Sequence, residues 1–456
     1  MRIAIGAGLL AIFAAASGHA LAWSNHALNT WPALAAMPEI GRLAPVRVES
    51  LDAFLAAEAP RLEAVLDAQE RWSREHVPAY PARPDALRFA AAGATEPGEL
   101  RRRFVAALRI APDARLGLFE QRLPEQSADQ RADDRAALPA HAVTTLARDH
   151  VVAATRFVAL REGEAVAPIA VLATASDEPD YGLDIGLWED NGTAHGRAYG
   201  FGKQPFGNPA LDFGSQAPFH MGFYHESAIV YAAAGFLKRT WPEYRIHLWR
   251  TLALHALRSG HDYWGWRFAG WALHYLQDLT QPYHARVLPG VSTARMLWIN
   301  ALYLAGWPGA RDRAVTLVSN RHLALENFQR TALLAGRRDH VSAAPLTAAL
   351  AGAARADARG DDASSYRDDS PRTVVARRAA AAADALDRTI AASLPSRYVD
   401  DPGFEFGASE EGIDLNALLG RDDPAKHAAM VGALVPLMTE YGAHTRAFVR
   451  ALLTAR

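Results

Sequence analysis

The stretch "LHYLQDLTQPYH" (273–284) sets His274 and Asp278 four residues apart in a run of helical character, so both side chains fall on one face. Pro282 predicts the end of that helix, and His284 follows in the turn. Three groups able to bind a metal ion therefore crowd one helix terminus. A lone histidine is usually a satisfied core or surface residue. That account fits poorly here, because a carboxylate on an otherwise apolar helix is costly to bury unless it is paired or bound to a cation.

Working outward, most of the chain has apolar residues at three- and four-residue spacing. The clearest runs are 51–72 (interrupted by Pro60), 228–241, 263–280, 319–336 and 373–394, and 425–453 reads as one helix or two. The expectation is a mostly α, multi-helix domain. The 456 residues are 50% hydrophobic and 21% charged, enough for a large core, and the net charge of −2 shows no basic balance directed at nucleic acid. Segment 79–150 is rich in Pro, Arg, Asp and Ala with weak periodicity and reads as a surface elaboration. Residues 358–373 read as a solvated linker. The glycine-rich stretch 181–216 reads either as the wall or flap of a cleft or as a surface excursion.

The chain has no cysteine, so thiolates are excluded as metal ligands. The remaining ligand types recur in helical register. His322 and Glu326 in "NRHLALENF" (320–328) are again four apart, a spacing that alone would suit a simple surface pair. "SDEPDYGLD" (176–184) offers Asp180, and "SQAPFHMGFYHES" (215–227) offers His220 and His225. Imidazoles and carboxylates drawn from several helices make a zinc-like inventory, with more ligands than one tetrahedral ion needs. Clustered metals activate water and clamp phosphoryl oxygens, so phosphate-ester hydrolysis is the reaction class that suits the parts.

The N-terminus has the form of an export signal. Arg2 precedes a short apolar run (3–16), and "ALA" (20–22) fits the small-x-small cleavage rule. Cleavage between Ala22 and Trp23 would make Trp23 the first residue of an exported protein, either periplasmic or secreted.

"LHYLQDLTQPYH" followed by "HLALENF", together with Trp23 at the cleavage point, resembles the helical zinc-dependent phospholipase C family, which shares its fold with zinc-dependent single-strand nucleases. The resemblance covers Trp23–His26 and about 176–330, plus a helical C-terminus. It implies a zinc-dependent phosphoric diester hydrolase holding three zinc ions. One zinc would be bound by Asp180, His220, His274 and Asp278. A second would be bound by His284, His322 and Glu326. The third would be bound by Trp23, through its free amine and carbonyl, with His26 and a bridging Asp278. Asp180 would orient or deprotonate the attacking water, and Tyr181 would contact a choline headgroup. His225 competes with His220 for one ligand position. Glu326, where the nuclease branch has Asp, favours the phospholipase branch.

The implied substrate is then a phospholipid at a membrane surface, with single-stranded nucleic acid as the alternative and no obligate protein partner evident. The stretches between ligands exceed what the family core needs. The implied organisation is a signal peptide over 1–22 and one helical catalytic domain over 23–456. That domain would carry a large insertion near its N-terminus, about 45–170, and a helical C-terminal portion, about 340–456.

Overall fold

The structure is a computed structural model that describes residues 23, 25–94, 96, 98–123, 136–146, 150–207, 212–338, 344–352, 365–406 and 412–456, so the expected export signal over 1–22 lies outside the described residues. The described chain is mostly helical. Its strands are two short antiparallel pairs, Val46–Arg47 with Ala165–Val166 and Phe119–Arg122 with Arg156–Ala159. The helices that frame the site are α1 (His26–Ala35), α2 (Leu51–His76), α3 (Pro168–Ala175), α4 (Pro242–Arg258), α5 (Asp262–Asp278), α6 (Gly309–Arg338), α7 (Arg377–Ser393) and α8 (Pro424–Ala455). Among the described residues no helix is long and apolar enough to cross a membrane.

α5 is the central element. Every residue from Tyr263 to Asp278 is buried, as expected of a helix that is apolar nearly all round. It packs along α4 and against α3, and Trp249 of α4 stacks on Phe268 and meets Trp271 edge-on at 4.7 Å. The approach to α3 depends on Gly270. A Cβ at that position would lie 2.5 Å from Ala175 Cβ and 2.8 Å from the Leu172 carbonyl oxygen. Gly270→Ala is therefore expected to cost about 1–3 kcal/mol despite its better helix propensity, read as a lowered urea midpoint. An unchanged or raised midpoint would show that the two helices are free to separate.

Segment 79–150 departs from the expected surface elaboration. Phe89, Phe104, Val105, Leu108 and Ile110 enter the same core as Trp249 and Trp264. Their periodicity is weak because they pack from short helices and loops, not from one long helix. Pro60 does not break α2, which begins at Ser50 with the serine side chain accepting from Ala53 N and runs through the proline. Run 228–241 is two short pieces, Ala228–Ala233 and Gly235–Lys238, before Pro242 opens α4. The end of the expected linker also differs, since Tyr366 packs edge-on against Phe448. The C-terminal run is one helix, α8, which continues through Pro436.

Candidate metal centre

Asp278 occupies the last turn of α5 with no solvent exposure. A carboxylate is unfavourable at the negative end of a helix, so its position calls for cationic neighbours. Four imidazoles surround it. Oδ1 lies 3.3 Å from His26 Nε2 and 3.9 Å from His284 Nδ1. Oδ2 lies 2.8 Å from His220 Nδ1 and 3.4 Å from His274 Nε2. Asp180 stands on the open side, its Oδ1 3.6 Å from His274 Nε2 and 3.8 Å from His220 Nδ1.

The rings are held by their outer nitrogens. His274 Nδ1 donates to the Ser176 carbonyl at 2.8 Å, His26 Nδ1 to Gln277 Oε1 at 2.9 Å, and His284 Nδ1 to the His220 carbonyl at 3.2 Å. Carbonyl oxygens only accept, so each bond fixes a proton on Nδ1, and Nε2 of His26 and His274 turns toward Asp278. This is the arrangement that orients histidine ligands in metal sites. His220 Nε2 faces Asp184 at 3.4 Å, and Asp184 is held by Arg245 and the Tyr275 hydroxyl, both at 2.6 Å.

A second group sits beside the first, reached through His284. His322 Nε2 is 2.8 Å from Glu326 Oε1 across one turn of α6, and the His284 and His322 rings meet edge-on at 5.1 Å. Among the described residues, three sets of ligand atoms are close enough to share an ion: His26, His274 and Asp278; Asp180, His220 and His274; and His284, His322 and Glu326. His274 belongs to two of them. The buried atom His284 Nε2 has no hydrogen-bond partner, and a buried polar atom of this kind leaves room for an ion. The donor set, imidazole with carboxylate, fits zinc.

The electrostatics of the metal-free cluster follow from its burial. Burial opposes charge on His26, but Asp278, Asp180 and Asp177 outweigh it and raise His26 to about 9. Burial likewise opposes charge on His220, and Asp184 and Asp278 raise it to about 10. Burial, reinforced by Asp278, pushes Asp180 up to about 8. Burial lowers His284 to about 3 and His322 to about 4. Near neutral pH, His26, His220 and Asp180 thus carry protons that metal ligation must expel. Loading zinc near pH 7 is expected to release about three protons per chain, read by calorimetry in buffers of different ionisation enthalpy. Metal affinity then climbs with pH and levels off above about 10, where His26 and His220 have both lost their protons. Heats that do not depend on the buffer would refute this charge assignment.

The structure gathers His26, Asp180, His220, His274 and Asp278, and sets His284, His322 and Glu326 beside them. His225 lies apart, its Nε2 on the Arg372 carbonyl at 2.8 Å, so the geometry selects His220. Trp23 is fully buried, its indole donating to Thr280 Oγ1 at 3.0 Å, two residues past Asp278. Tyr181 differs from expectation. Its ring lies in a buried cluster with Phe119, Val143, Val152 and Phe157 and meets Phe157 edge-on at 5.8 Å, so the strand pair takes up the ring that a headgroup would need. Sequence reading gave no role to Asp177, Asp184, Arg245 or Gln277. Asp177 accepts from Ala27 N at 3.2 Å and so holds the start of α1. Asp184 sits in the quoted stretch 176–184, but nothing in the sequence pairs it with Arg245. Within the glycine-rich stretch, Trp188 is buried and stacks on Phe219, next to His220, at 5.2 Å. Residues 208–211 lie outside the described chain.

Compared with protein-family models, curated proteins and solved structures, the chain gives no significant match.

Proposed function

We propose that the chain is a zinc-dependent phosphodiester hydrolase of the phospholipase C type. The observation that carries this reading is Asp278, a fully buried carboxylate whose two oxygens are divided among four imidazoles. His26, Asp180, His220, His274 and Asp278 would hold ions on one side, and His284, His322 and Glu326 on the other. Main-chain ligation by Trp23 belongs to the same proposal and requires cleavage after Ala22.

Bound zinc supplies Lewis acidity and a water of lowered pKa. The two acids of the larger cluster differ in access. The Asp180 side chain is 12% exposed and that of Asp278 is 0%. Asp278 therefore serves to gather the imidazoles, and Asp180 Oδ1 is the group able to accept a proton from the attacking water. Glu326 supports the lipid branch; Trp264, Trp266 and Trp271 are buried, which removes those rings from base stacking and from a lipid-facing role alike.

The test is hydrolysis by the zinc-loaded chain beginning at Trp23, offered phosphatidylcholine and single-stranded DNA at matched metal. Release of phosphocholine with DNA left intact is expected, and Asp180→Asn is expected to lower the rate by about 10²–10⁴-fold when compared at equal zinc content. DNA cleavage without phosphocholine release would assign the site to the nuclease branch. Full activity in Asp180→Asn would remove its catalytic role.

A further inference from the structure

Among the described residues, the large apolar side chains left exposed are Ile229, Leu297, Trp298, Leu304 and Trp307. Four of the five lie in one stretch between His284 and His322, on or just beyond the helix Thr293–Leu304. The fifth, Ile229, lies on the short helix Ala228–Ala233, which packs against it. Leu297, Trp298, Ala301 and Leu304 follow helical spacing along one face and are all exposed. The opposite face is also apolar. Ile299 is buried, and Met296 lines an apolar pocket of about 600 Å³, counting space open to solvent, with Leu237, Val287, Leu288 and Val315. A helix apolar all round is normally buried on all sides, yet this one has its outer half in the open.

We infer that this face docks on a lipid surface. Charge selects that occupant. Between Asp278 and Asp312 the chain contains no acidic residue and three arginines, Arg286, Arg295 and Arg311. Arg295 and Arg313 are exposed on either side of the tryptophans, while Asp312 is already engaged by Arg311 at 2.6 Å. Tryptophan with leucine, flanked by arginine, is the composition of an element that lies in the headgroup layer, with indoles at the boundary and cations on anionic lipid. Trp298 and Trp307 are 64% and 68% exposed, so their rings are available without rearrangement. Val287 and Leu288, which line the pocket beneath this helix, lie three and four residues after His284 in the chain. The inference rests on this surface and not on the hydrolytic reading.

The test compares the zinc-loaded chain with Trp298→Ala/Trp307→Ala by co-sedimentation with vesicles of phosphatidylcholine alone and of equal parts phosphatidylcholine and phosphatidylglycerol. Headgroup release is read in the same supernatants, so loss of docking and loss of hydrolysis are told apart. The unaltered chain is expected to bind the anionic vesicles more tightly, and the double variant to lose roughly tenfold or more in partitioning while keeping its circular dichroism and melting temperature. Docking without headgroup release would sustain this inference and remove the phospholipase reading. Equal partitioning of the two proteins would overturn the inference. So would a lipid-free dimer that the double variant abolishes, because the face would then be occupied by a second copy.

Discussion

Asp278→Asn is expected to lower zinc affinity by roughly a hundredfold or more, and hydrolysis with it, because even groups one step removed from a metal typically change affinity 10–100-fold. The amide keeps the shape of the carboxylate but removes the only anion that His26, His220, His274 and His284 all face. The loss appears in stability as well as in metal content. Zinc at about a hundred times its dissociation constant stabilises a site by about 2.7 kcal/mol, so the unaltered chain should melt higher with zinc than with chelator. In Asp278→Asn that gap should close. Metal analysis and paired melting curves read the two effects. A variant that retains its zinc and its melting shift would remove Asp278 from the centre of the site.

The second large effect concerns the turn that presents Asp180. Glu178, two residues earlier, accepts from Arg267 Nε at 3.0 Å, from Arg267 Nη2 at 2.8 Å and from Trp271 Nε1 at 3.1 Å. Both partners are buried, with side-chain exposures of 2% and 5%. Removing the acid leaves a buried guanidinium uncompensated, so Glu178→Ala should cost about 3–5 kcal/mol in urea unfolding. Arg267 also stacks over Trp264 at 4.9 Å, which ties the pair to the aromatic core of α5. A buried pair is costly to break but not necessarily stabilising in net terms. Combining Glu178→Ala with Arg267→Met should therefore recover much of the loss. A single-variant loss below about 1 kcal/mol would show that water reaches the guanidinium. Metal uptake should weaken in Glu178→Ala, because the turn before Asp180 loses its anchor to α5.

The helical class and most of the proposed ligands were legible in the residues alone. His274 with Asp278, and His322 with Glu326, are local pairs. Helical geometry puts residues four apart on one face whatever the rest of the chain does, and an acid on an apolar helix marks itself. Periodicity also found α5, α6 and α8. It failed for 79–150, where the core residues are supplied by short helices and loops, and for Tyr181, whose ring is claimed by a strand pair formed from residues 119–122 and 156–159.

What the sequence determined is therefore the set of ligand types and their helical spacing, together with the apolar, acid-free run around Trp298. What only the tertiary structure decided is which groups meet. His26 reaches Asp278 from the other end of the chain, His220 rather than His225 turns inward, Asp184 is committed to Arg245, and the outer face of the Trp298 helix stays uncovered. Those outcomes depend on contacts between residues distant in the chain. Such contacts are set by how α3, α4 and α5 close on one another at Gly270 and the tryptophan cluster, and no local spacing encodes that closure.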